Sequence, residues 1–216
     1  MEQSHEEDVM YCIISLPRTG STFAWHQINA GLSFVNPIYQ HQPSHSIFNP
    51  RLNTSESIEQ KLQVTLATKP LPLIKIISHH DFSIVERILS SDYKTVFIKP
   101  KDVRKQVLKT IVAKQTDSFA NKEARNPFKG SLCVTEQEIE QRLDFYHEHM
   151  KYESRCDYSF FDLDILATPT ILNEALELPV VSSKYKYKPP TYSDEEMLEN
   201  VQKFNELFEV IYERKR

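Results

Sequence analysis

Between Pro17 and Thr22 the chain sets a guanidinium, a glycine and three hydroxyls in one unbroken stretch, Pro-Arg-Thr-Gly-Ser-Thr. A glycine permits a tight left-handed turn. Successive main-chain N–H groups in such a turn converge on an anion, and the positive end of a following helix strengthens the grip. A loop of the common ATP-binding kind follows its glycine with Lys and then Ser or Thr, because the lysine reaches the terminal phosphates and the hydroxyl holds magnesium. Here Gly20 is followed by Ser21, and the nearest cation is Arg18, at the mouth of the loop. These residue types suit a nucleotide whose reaction needs no magnesium.

The elements that must hold this loop can be read around it. Residues 9–14 form a largely apolar run that suits a buried parallel strand. Ser21 and Thr22 then offer helix-start residues, and Gly31 is placed to end that helix. The chain has only three glycines, so one in a strand-to-helix turn points to a backbone requirement there. Further on, Ile58, Leu62 and Leu66 keep helical spacing, residues 72–78 read as a second strand, residues 82–92 as a short helix and residues 94–98 as a third strand. Val103, Val107, Leu108, Ile111 and Val112 follow a helix face, with Lys101, Lys105 and Lys109 toward one polar side. Thr135 with Glu138, and Ser193 with Glu196, form capping-box patterns ahead of two amphipathic runs, and residues 158–166 offer another strand. Alternating strands and helices of this kind predict a three-layer α/β fold with a mainly parallel central sheet and a phosphate-binding strand-loop-helix at its start.

A length of 216 residues with 40% hydrophobic and 26% charged content fits one well-buried domain spanning 1–216. No window approaches the roughly 20 apolar residues of a membrane helix, and the start, Met-Glu-Gln-Ser-His-Glu-Glu-Asp, is acidic where a signal peptide is basic. Three cysteines without matching surroundings suggest a reducing compartment, and the expected location is the cytoplasm. None has metal-ligand spacing, so no metal site is expected. The net charge of −4 argues against general nucleic-acid binding, although ten bases face only three acids between Lys94 and Lys129. That segment reads either as a local anion site or as a solvated lysine-rich helix face.

The loop resembles that of the sulfotransferases that use 3′-phosphoadenosine 5′-phosphosulfate, in which P-[RK]-[ST]-G-[ST]-[ST] follows the first strand. Every position of Pro-Arg-Thr-Gly-Ser-Thr matches. Family members bind the 3′-phosphate with an arginine at a later strand end and a serine eight residues on; Lys101 and Lys109 have that spacing here, each with a changed residue type. Lysine is a point charge without the bidentate fork of arginine. Lys99 or Lys105 could serve instead. Asp102, Gln106 and the stretch Ala-Lys-Gln-Thr (113–116) are similar to the carbohydrate-sulfating branch, including the trehalose-type enzymes, and the resemblance extends in patches over roughly residues 9–178.

The resemblance implies an enzyme moving a sulfuryl group to a hydroxyl of a small-molecule or carbohydrate acceptor, with Arg18, Thr19, Gly20, Ser21, Thr22 and Phe23 around the 5′-phosphosulfate and Arg18 and Lys75 stabilising charge. Many members carry a histidine past the end of the second strand, which makes His79 the expected base, with the adjacent His80 facing away, or the reverse. A histidine titrates near neutrality and suits that task. The carbohydrate branch often places a glutamate where Tyr39 stands here, leaving His41 as the local substitute. Rival readings are a non-catalytic nucleotide-binding relative, a magnesium-dependent kinase lacking its Gly-Lys step, and a metal hydrolase drawing on His41, His45, His79, His80 and Asp81. Neither the acceptor nor the oligomeric state is legible.

Overall fold

The run Tyr-Cys-Ile-Ile-Ser forms a strand, β1 (Tyr11–Ser15), with every residue buried. A strand hydrophobic on both faces belongs inside a sheet covered on both sides, and β1 is central. The computed structural model describes residues 9–37, 55–68, 72–78, 82–116, 131–181, 183, 185 and 193–216. Among these, β1 pairs in parallel with β2 (Leu73–Ile77) on one side and β3 (Lys94–Lys99) on the other, and β3 pairs in parallel with β4 (Tyr158–Phe161). The strand order is β2-β1-β3-β4, so the expected parallel α/β sheet is present. The strand order reverses between β1 and β3, and in open parallel sheets the carboxyl ends of strands at such a reversal are where ligands bind.

The chain divides into two compact units, one of residues 1–99 with 152–187 and the other of residues 100–151 with 188–216. In the first, α1 (Ser21–Val35), α2 (Ser55–Thr68) and α3 (Phe82–Leu89) join the sheet, followed after β4 by the short helices α6 (Asp162–Ala167) and α7 (Ile171–Ala175). Strand alternation sorts the core. Tyr11, Ile13, Leu73, Val96 and Ile98 face one way and pack with Phe23, Ala24, Ile28 and Leu32 of α1 and with Ile165 and Leu172. Cys12, Ile14, Ile74, Ile76 and Phe97 point to the other face and are equally buried. The β3–β4 edge is pinned by Asp157, whose carboxylate accepts from the Thr95 main-chain N–H (2.7 Å) and hydroxyl (2.8 Å).

Gly31 does not end α1. The helix runs on to Val35, and the glycine serves as a point of close approach: a Cβ there would lie 2.4 Å from Asn173 Nδ2 and 3.0 Å from the Pro179 carbonyl. Gly31→Ala is therefore expected to destabilise the fold by about 1–3 kcal/mol through overpacking, read as a lowered denaturation midpoint; an unchanged midpoint would show that Asn173 swings aside freely.

The second unit contains α4 (Val103–Gln115), α5 (Glu136–Met150) and α8 (Val201–Lys215). Val107, Leu108, Ile111 and Val112 meet Ile139, Leu143, Phe204, Phe208 and Ile211 in its core. Thr135 and Glu138 form the expected capping box of α5. Ser193 and Glu196 do bond reciprocally, at 2.9 and 3.3 Å, but they close a short 3-10 turn, Glu195–Met197. The α8 cap is Asn200, whose side chain accepts from Lys203 N at 2.8 Å. No described helix is long and apolar enough to cross a membrane.

Candidate functional site

The loop between β1 and α1 owes its shape to two left-handed residues. Arg18 has φ 66° and Gly20 has φ 69°, while Thr19 between them is not left-handed and Ser21 already belongs to the helix. This alternation in the sign of φ turns successive N–H groups toward one concave side, the geometry of an anion nest. For glycine the conformation is free of steric cost, whereas for arginine it costs roughly 1–2 kcal/mol. Backbone strain of that size persists where the surroundings enforce it, and it clusters at ligand-binding turns. Thr19 supplies one restraint, its fully buried hydroxyl donating to the Leu16 carbonyl at 2.7 Å.

The end of α1 adds to the nest. Its first intrahelical bond runs from Ala24 N to Gly20 O at 3.0 Å, so the N–H groups of Ser21, Thr22 and Phe23 precede the i to i−4 ladder. The cap residue Gly20 has no side chain to satisfy them, and the first turn holds no acidic residue. The helix therefore presents its positive end without a carboxylate of its own.

Lys75 reaches this turn from the middle of β2. Its Cα pairs with Ile13, on the sheet face that packs against α1, and its Nζ donates to Thr22 Oγ1 at 3.1 Å. The side chain is buried, and burial alone lowers its pKa from 10.5 to about 8. No carboxylate pairs with Lys75 or with half-buried Arg18 among the described residues. Two cationic side chains and a row of main-chain donors thus meet at one turn, and no carboxylate among the described residues pairs with either cation.

Of the residues singled out from the sequence, Arg18, Thr19, Gly20, Ser21, Thr22 and Lys75 come together here. Phe23 is different in kind: its side chain is buried in the core and tilts against Tyr185, with ring centroids 6.4 Å apart. Lys101, exposed, and Lys109, half-buried, lie in the second unit, flanking and within α4, where Asp102 caps the helix by accepting from Lys105 N at 2.9 Å. Lys99 is engaged at the end of β3, ion-paired to Glu153 and lying over the Phe161 ring at 4.4 Å. His79, His80 and His41 fall outside the described residues, as do Tyr39, His45 and Asp81. The described residues contain no cluster of metal-ligating side chains.

Two features of the site escape sequence reading. Ser15 ends β1 beneath the loop, fully buried, with a hydroxyl that has no hydrogen-bond partner. Its register with Ile77 and Ile98 places it on the same sheet face as Lys75. The second feature is a ring stack of His26 on Tyr185, 4.2 Å between centroids and 11° between planes, on the α1 turn after the loop. A hollow of about 280 Å³ lined by Met10, Arg87, Ser90, Asp92 and Tyr93 lies at the opposite, amino ends of β1 and β3 and has no part in this site.

No family model matches the chain, and neither a curated protein nor a solved structure matches it.

Proposed function

We propose that the chain is a sulfotransferase that moves the sulfuryl group of 3′-phosphoadenosine 5′-phosphosulfate to a hydroxyl of a small-molecule or carbohydrate acceptor. The observation that carries this reading is an anion cradle at residues 17–23 whose positive charge comes from Arg18 and Lys75, in a turn that lacks the Gly-Lys step of a magnesium-nucleotide loop. In the transfer, the acceptor oxygen forms a bond to sulfur as the bond from sulfur to the bridging 5′-phosphate oxygen breaks, and the acceptor proton passes to His79. The nucleotide leaves as the 3′,5′-bisphosphate. Charge growing on its 5′-phosphate is met by the loop amides, by Arg18 and by Lys75. This is stabilisation of a leaving group by donors fixed in advance. Lys101 and Lys109 are assigned to the 3′-phosphate on their spacing in the sequence. The cytoplasm suits three free thiols, Cys12, Cys133 and Cys156.

Calorimetry with adenosine 3′,5′-bisphosphate in the presence of a chelator tests the reading. The expected result is binding without metal and tighter than that of ATP with magnesium. Preference for ATP with magnesium would instead identify a kinase. Bisphosphate binding without transfer of labelled sulfate to any sugar or lipid pool would leave a non-catalytic relative.

A further inference from the structure

A buried amine beside the amino end of a helix poses an electrostatic problem that a ligand can solve. Lys75 is 4% exposed, and its Nζ has one described hydrogen-bond partner, a neutral hydroxyl. Ile13 of β1 is its register partner, Thr22 of α1 accepts its bond, and Ser15, with an orphaned hydroxyl, ends β1 on the same sheet face; no charged group on β1, β2 or α1 contributes to its titration among the described residues. His26, one turn beyond Thr22, is stacked on Tyr185, and Arg18 in the loop carries the same charge as a protonated lysine.

We propose that at alkaline pH Lys75 takes up a proton when an anion enters the loop, so that nucleotide and proton bind there as a coupled pair. The inference rests on the reading of residues 17–23 as the cradle of the 5′-phosphosulfate. In the empty loop, burial disfavours the ammonium form, and the amine can both donate to Thr22 and exist uncharged. A phosphate oxyanion in the nest supplies the missing counter-charge and favours the ammonium. Lys75 would thereby stand in for the lysine absent after Gly20, delivered from the neighbouring strand, largely charged at neutral pH and kept in the ammonium form by the bound anion at higher pH. Linkage fixes the sign: affinity is nearly independent of pH below about 8 and falls as pH rises above it, by up to about tenfold per unit until the bound-state value is reached.

The test is calorimetric titration with adenosine 3′,5′-bisphosphate at pH 9 in two buffers that differ in heat of protonation. The ligand phosphates are fully ionised there, so a proton taken up comes to the protein. With the free amine at about 8, the wild type is expected to take up about 0.9 proton. Lys75→Arg, charged throughout, is expected to bind with no buffer-dependent heat, and Lys75→Met to bind weakly with none. As a second readout, the stability of the unliganded wild type relative to Lys75→Met should rise between pH 8 and 10.5, where the unfolded lysine keeps its proton and the folded one releases it. Binding without buffer-dependent heat in the wild type, or equal uptake in Lys75→Arg, overturns the inference alone. Absence of bisphosphate binding at pH 7 overturns the nucleotide reading and the inference with it.

Discussion

Arg18→Ala is expected to lower sulfuryl transfer by roughly 100- to 1,000-fold, the usual scale for removing one fixed donor to developing negative charge. The fold should hardly notice. Alanine at φ 66° bears the same left-handed cost as arginine, so the strain in the loop is unchanged. Arg18→Gly separates the two roles of this position. It removes the guanidinium as fully as alanine does but relieves the backbone cost of roughly 1–2 kcal/mol, partly offset by the extra freedom of glycine in the unfolded chain. The expected outcome is a variant as inactive as Arg18→Ala and at least as stable as the parent, measured by labelled-sulfate transfer and by denaturant unfolding. Near-normal transfer in both variants removes Arg18 from the mechanism.

His79→Ala is expected to reduce turnover by about 100- to 10,000-fold, the range for loss of a general base, while leaving bisphosphate affinity within about threefold of the parent. The reasoning is chemical: the base meets the acceptor hydroxyl, whereas the nucleotide is held by the loop. Activity of the parent should decline as pH falls through about 6.5, where an ordinary histidine gains its proton and can no longer accept one. His41→Ala is the matched control. If it abolishes turnover and His79→Ala does not, the base is His41; if neither variant loses activity, neither histidine takes the proton.

Much of the fold was legible because its signals are local. The apolar run before Pro17, the Thr135/Glu138 box and the apolar spacing from Val103 to Val112 depend on residues within a few positions of one another, and β1, α5 and α4 appear where they were expected. Gly31 looks like a helix end in the sequence, but its purpose is set by Asn173 and Pro179, far along the chain. The Ser193/Glu196 pair has the chemistry of a cap but closes three residues of 3-10 turn, and α8 is capped by Asn200, seven residues after Ser193. Residues 158–166 have the composition of one strand, yet the chain turns into a helix at Asp162, whose carboxylate and that of Asp164 suit a helix amino end. The glycine turn was visible in sequence. The grip of Lys75 on Thr22 and the burial of the Ser15 hydroxyl are not, because they arise only when strands far apart in sequence are aligned, and the left-handed Arg18 is not, because arginine carries no sequence signal for that conformation.

The order in which the polypeptide leaves the ribosome matters for a chain that passes between its two units three times, after residues 99, 151 and 187. The first unit lacks its fourth strand until residue 161 has emerged, so the open edge of β3 must wait while more than fifty intervening residues are made. The first unit can therefore be completed only once residue 187 has emerged, and the second only once α8 follows. Limited proteolysis of stalled translation products should find the first unit unprotected in fragments that end before β4, and the second protected only once α8 is free of the exit tunnel.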